Sequence, residues 1–118
     1  FDPIRLETIF DELTSIIKQN KPDYMSVEKL FFANNVTTAM SVSQARGVIL
    51  LAGQQAKLSI HEYTPLQIKQ ALTGYGRADK KQIQEMVRIL LNLNKAPQPD
   101  DCADAFAAAI TLAMNIKS

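Results

Sequence analysis

Glu28 stands in the otherwise apolar stretch Tyr24-Met-Ser-Val-Glu-Lys-Leu-Phe-Phe32, and a carboxylate there asks for a physical reason. An ionised carboxylate buried without partners costs several kcal/mol or gives up its charge. One reason is plain: the residue lies near the C-terminal end of a strand and points at solvent. Asp101 and Asp104 are three apart at the start of a helix-forming stretch, hence on one face. They also have a plain reading, because acids near a helix N-terminus are stabilised by its dipole and Asp100 or Asp101 can serve as the cap. The sharper reading gathers Glu28, Asp101 and Asp104 around a cation. Hard oxygen donors without histidine or thiolate suit Mg²⁺ or Mn²⁺ rather than zinc. Spacing alone leaves both readings open.

Basic residues are unevenly spread around these acids. From Thr64 to Lys95 there are six cationic side chains (Lys69, Arg77, Lys80, Lys81, Arg88 and Lys95) against Asp79 and Glu85. Residues 1–30 run the other way, with four positive and six negative. A basic face beside an acidic centre suits phosphate held by cations and metal held by carboxylates. The same run also fits a solvated helix face.

The elements that must position these groups follow from periodicity. Asp2-Pro3 offers a cap and a first-turn proline, and Leu6, Ile9, Phe10, Leu13, Ile16 and Ile17 then recur at helical spacing until Asn20-Lys21-Pro22. Residues 24–32 read as a strand bounded by turn formers. A helix is expected over about 36–56, where Met40, Ala45, Val48, Leu51 and Ala52 share a face and Gly47 and Gly53 allow close packing. Leu58–Tyr63 alternates like a strand. Thr64 caps a helix over Pro65–Leu72, Gly74-Tyr75-Gly76-Arg77 is a loop, and Asp79-Lys80-Lys81-Gln82 opens a helix in capping-box fashion, carrying Ile83, Met86, Val87, Leu90 and Leu91. A turn-rich linker over 94–99 leads to an alanine-rich helix from about Asp101 to Asn115. Helices alternating with short apolar strands predict an α/β layer structure with parallel pairing. Two strands are few for a parallel sheet, so further strands are expected to precede Phe1.

Composition bounds the rest. With 118 residues, 47% hydrophobic and 21% charged, the chain is sized for one globular domain, residues 1–118. A net charge of +1 does not by itself announce a nucleic-acid binder. The single cysteine, Cys102, excludes a disulfide framework and a thiolate zinc site and suits a reducing compartment. No apolar run approaches the roughly 18 residues that cross a bilayer.

Several segments together resemble the RuvC family of Holliday-junction resolvases. They are Pro22-Asp-Tyr-Met-Ser-Val-Glu-Lys-Leu-Phe-Phe32, Gln44-Ala-Arg-Gly47, Pro65-Leu-Gln-Ile-Lys-Gln70, Gly74-Tyr-Gly-Arg-Ala-Asp-Lys-Lys-Gln82 and Asp101-Cys-Ala-Asp-Ala105, in family order and nearly at family spacing. The resemblance implies a ribonuclease-H-like three-layer α/β fold, here a fragment with two parallel strands and about five helices. It implies a Mg²⁺-dependent endonuclease (Mn²⁺ being an alternative ion) with two ions per site, which nicks four-way junction DNA symmetrically in recombination and repair. Glu28, Asp101 and Asp104 match three of the four family carboxylates. The fourth belongs to a first strand this sequence does not contain, and Asp2 reads as a helix cap instead, so the chain alone is expected to be inactive. Lys69 and Lys80 match basic residues near the scissile phosphate. Phe31 matches an aromatic that stacks at the crossover, with Phe32 beside it, and Tyr75, Arg77 and Lys81 are further expected DNA contacts. The family further implies a homodimer built on the helix at 36–56, a branch-migration complex as partner, and the bacterial cytoplasm. His61 and Cys102 match nothing catalytic. Two other readings remain: a non-catalytic DNA-binding or dimerisation module of this fold, and a plain structural α/β fragment.

Overall fold

The computed structural model describes residues 2–29, 36–98 and 100–116, with the side chains of 36–39, 100 and 101 outside the description. Its elements run α1 (Pro3–Asn20), β1 (Tyr24–Glu28), α2 (Val36–Gln55), β2 (Ser59–Tyr63), α3 (Pro65–Thr73), α4 (Lys80–Leu90) and α5 (Asp100–Asn115). This is the expected order of two strands and five helices. The strands pair in parallel: the Ser59 N–H donates to the Asp23 carbonyl at 2.9 Å, and the Lys29 N–H donates to the Tyr63 carbonyl at 2.7 Å. β1 is shorter than the predicted 24–32, ending at Glu28, with one more ladder bond from Lys29; residues 30–32 lie outside the described residues.

The described residues form two compact units. The first comprises the described residues up to Met25 and those from Val36 to Ile60, and in it α1 packs on α2. Asp2 caps α1 by accepting from the Arg5 N–H at 3.1 Å, with Pro3 in the first turn where its missing donor is not needed. At the other end Lys21 enters the left-handed region (φ 47°) and returns its N–H to the Ile17 carbonyl, after which Pro22 forbids another turn. Of the expected stripe only Ile17 is buried, and Ile16 is exposed. The α2 face is likewise only partly covered: Ala52 is buried, whereas Met40 and Leu51 face solvent. Gly53 has the packing reason expected of it, since a Cβ there would fall 2.8 Å from the Met25 sulfur. Gly47 does not, because a Cβ there would meet nothing within 4 Å.

The second unit comprises Ser26 to Lys29 and the described residues from His61 onward. Thr64 and Gln67 cap α3 reciprocally at 3.1 and 2.8 Å, and Asp79 and Gln82 cap α4 in the same way at 2.8 and 2.7 Å. The core joins Ile68 and Leu72 of α3, Ala78, Ile83 and Val87 of α4 and its lead-in, and Ala107 and Ala108 of α5. Small side chains along α5 let it lie close to both α3 and α4. The buried stripe of α4 is narrower than its sequence pattern: Leu90 and Leu91 are exposed, and Leu91 is the cap residue rather than part of the helix.

Candidate active site

The second unit holds a cleft of about 230 Å³ walled by side chains from β1, α3, α4 and α5. Glu28 enters it from the last residue of β1 and Asp104 from the first half of α5. Lys69 contributes from α3, and Asp79 and Lys80 from the start of α4. Ile68, Ala78, Ile83 and Ala107 form its apolar floor, so the polar groups stand over the unit's core.

Local structure explains why the two acids meet. Side chains two apart share one face of a strand, so Ser26 and Glu28 project together. Residues four apart share one face of a helix, so Asp104 and Ala108 do as well. The Ser26 hydroxyl donates to the Ala108 carbonyl at 2.7 Å, joining the strand face to the helix face one step away from the acids. That bond fastens the strand that carries Glu28 to the helix that carries Asp104.

Electrostatics mark Glu28 as the perturbed group. Burial raises its pKa above the ordinary 4.5, the Asp104 charge raises it further, and Lys69 opposes both. A half-buried carboxylate beside a like charge is the arrangement in which a cation is most welcome. The N-cap of α4 and the first turn of α3 also border the cleft, and helix N-termini favour negative charge near them.

Thus Glu28, Asp104, Lys69 and Lys80, distant in sequence, line one cleft. Asp101 stands three residues before Asp104 on α5, but its side chain is outside the description. Among the described residues no three of His, Cys, Asp or Glu converge closely enough to hold an ion. Phe31 and Phe32 lie outside the described residues. Lys81 lines a different groove, with Leu72, Thr73 and Met86. Tyr75 and Arg77 stand exposed on the loop between α3 and α4. Gly74 takes φ +74° to end α3, and a Cβ on Gly76 would fall 2.5 Å from a Leu66 methyl, so both glycines have reasons internal to the fold. Cys102 is a free, half-buried thiol. No helix among the described residues is long and apolar enough to cross a membrane.

Sequence reasoning missed two members of this neighbourhood. Asp79 was legible as a cap but not as a wall of the cleft. Ser26 carried a weak signal, its two-residue offset from Glu28, which places it on the same strand face.

Comparison with known proteins bears on what such a cleft does. The family model for crossover junction endodeoxyribonuclease RuvC matches residues 2–112. Over 106 residues the chain is 62% identical to the crossover junction endodeoxyribonuclease RuvC of Halothermothrix orenii, covering 90% of this chain and 64% of the relative. Over 109 residues it is 59% identical to that of Brevibacillus brevis, covering 92% and 66%. The chain therefore spans about two thirds of the length of these relatives. Among solved structures, Thermus thermophilus RuvC is similar with a TM-score of 0.85 at 37% identity, over 92% of this chain and 66% of that one. Thermus thermophilus RuvC in complex with a Holliday junction substrate gives 0.89 at 36%, over 94% and 67%. These neighbours have the ribonuclease-H-like α/β fold expected from the sequence. With its matching segments in order and its fold shared, the chain belongs to the RuvC family.

Proposed function

We propose that this chain forms the greater part of a structure-selective endonuclease that resolves four-way DNA junctions. The observation that carries the reading is the cleft in which Glu28 and Asp104 meet beside Lys69 and Lys80. Its support comes from relatives named as crossover junction endodeoxyribonucleases, one of them solved with a Holliday junction substrate.

The donor set fits a hard divalent ion. Two carboxylates share the cleft, and one of them, Glu28, is destabilised in its charged form by burial and by the other. Glu28 and Asp104 would hold Mg²⁺ or Mn²⁺, with Asp101, one helical turn earlier, as the third ligand. Such ions, two in the reading given by the family, supply Lewis-acid activation of water and stabilisation of the departing oxygen. Lys69 and Lys80 offset negative charge on the phosphate undergoing substitution. Hydrolysis breaks the bond to the 3′ oxygen and leaves a 3′-hydroxyl and a 5′-phosphate. Phe31, Phe32, Tyr75, Arg77 and Lys81 contact the junction through stacking and backbone charge, so selection rests on shape more than on base edges.

Paired nicking across a junction calls for two sites, and α2 is suited to join them. Its Met40 and Leu51 are exposed apolar side chains that such a pairing would cover. The test is Asp104→Asn in the intact protein. Binding to a synthetic four-way junction should persist while Mg²⁺-dependent nicking is lost. Retained nicking removes Asp104 from the reaction, and an intact parent protein that neither binds nor nicks the junction removes this function.

A further inference from the structure

The loop between α3 and α4 is built to hold one exposed ring in place. We propose that Thr73 is a positioning residue that presets this loop for DNA, an inference resting on the reading that Tyr75 and Arg77 contact the junction. Thr73 ends α3, and its Oγ1 lies 2.6 Å from the Lys69 carbonyl, where its single proton goes. The same oxygen accepts from the Tyr75 N–H at 3.1 Å and lies 3.0 Å from the Tyr75 carbonyl. That carbonyl also accepts from the Ala78 N–H at 3.3 Å. Both backbone polar groups of Tyr75 are therefore tied down, while the residue as a whole is 52% exposed.

Neighbouring anchors act in the same direction. The Gly74 N–H returns to the Gln70 carbonyl at 2.8 Å. The Gly76 backbone runs against α3, where a Cβ would fall 2.5 Å from a Leu66 methyl and 3.4 Å from the Gln70 side-chain nitrogen. Ala78 is 1% exposed and fastens the far end of the loop to the core. A loop already ordered has no backbone freedom left to lose when a ligand arrives, which strengthens binding without adding a contact. The Thr73 side chain links the helix carrying Lys69 to the backbone of Tyr75, so its hydroxyl is where the presetting resides.

The experiment measures affinity for a synthetic four-way junction, in chelator to prevent cutting, for Thr73→Val, Thr73→Ser, Tyr75→Ala and the Val/Ala double variant. Tyr75 amide hydrogen exchange is followed in parallel. Valine keeps the branched shape and removes the hydroxyl, and should weaken binding about five- to tenfold, the worth of roughly one hydrogen bond. Serine should restore affinity to within about twofold. The double variant should bind no more weakly than Tyr75→Ala, because Thr73 acts through that residue. The Tyr75 amide should be protected in the parent protein, and Thr73→Val should release it without altering protection at Val87. If Tyr75→Ala binds like the parent, the loop does not touch DNA, and the underlying reading fails together with this inference. If Tyr75→Ala weakens binding but Thr73→Val does not, or if the two losses multiply in the double variant, the inference fails and the reading stands. Exchange of the parent Tyr75 amide at the rate of an unstructured peptide overturns the inference even if the valine variant does not fold.

Discussion

Replacing Glu28 by glutamine preserves its shape and deletes its charge, which separates the cost of that charge from its use. In the folded protein the Glu28 carboxyl titrates above the ordinary 4.5, first through burial and then through Asp104, with Lys69 acting against both. A carboxyl whose folded pKa is raised binds its proton more tightly in the native state. Stability therefore falls as pH rises from about 4.5 through the folded value, and the deficit is complete above it. Glutamine carries no such deficit. Because Glu28 is only half-buried, solvent screening limits the gain to below about 1 kcal/mol. For a domain of this size that is a rise in melting temperature of up to about 4–8 °C. Thermal unfolding followed by circular dichroism, in chelator from pH 4 to 8, should show Glu28→Gln above the parent at neutral pH and level with it near pH 4. Millimolar Mg²⁺ should then raise the parent more than the variant. A variant that melts lower than the parent in chelator at neutral pH, or an equal Mg²⁺ shift in both, would refute the view of Glu28 as a strained ligand.

Three further outcomes follow from the geometry. Ser26→Ala removes the 2.7 Å bond to Ala108 while that carbonyl keeps its helical partner, so urea midpoints should show a loss of about 1 kcal/mol; no loss would mean strand and helix are not joined there. Asp79→Ala should cost about 1 kcal/mol as a lost cap, and Asp79→Asn only a few tenths because its amide oxygen still accepts from Gln82; equal losses would assign the effect to charge. Lys80→Ala should lower the salt slope of junction binding by up to about 0.9, and an unchanged slope would show that Lys80 meets no phosphate.

What could be read from the sequence was whatever is written locally. The starts of α1, α3 and α4 are each encoded within four residues, by Asp2-Pro3, Thr64 with Gln67, and Asp79 with Gln82. Element order followed from periodicity for the same reason. Extents and coverage were harder. The expected strand runs to Phe32, whereas β1 ends at Glu28, because alternation marks an extended stretch without fixing its last residue. The helix stripes named Ile16, Leu51, Leu90 and Leu91 as facing the core, but only packing partners decide which apolar residues are covered, and these are exposed. Gly47 and Gly53 look alike in sequence and differ in having Met25 and Ile60 against one of them. The meeting of Glu28 with Asp104 is tertiary. No spacing rule reaches across that interval, and the family resemblance was the signal that pointed to the pair.

The reciprocal caps of α3 and α4 have a consequence for how the cleft meets a large polyanion. Helix ends usually rely on water for their unpaired N–H groups, and drying such an end strands those donors. At Thr64–Gln67 and Asp79–Gln82 the chain supplies its own acceptors at the border of the cleft. A duplex that seals the opening and expels its water leaves those bonds intact. Those four donors need nothing from the ligand, whereas the other first-turn N–H groups of the two helices stay available to a phosphate oxygen.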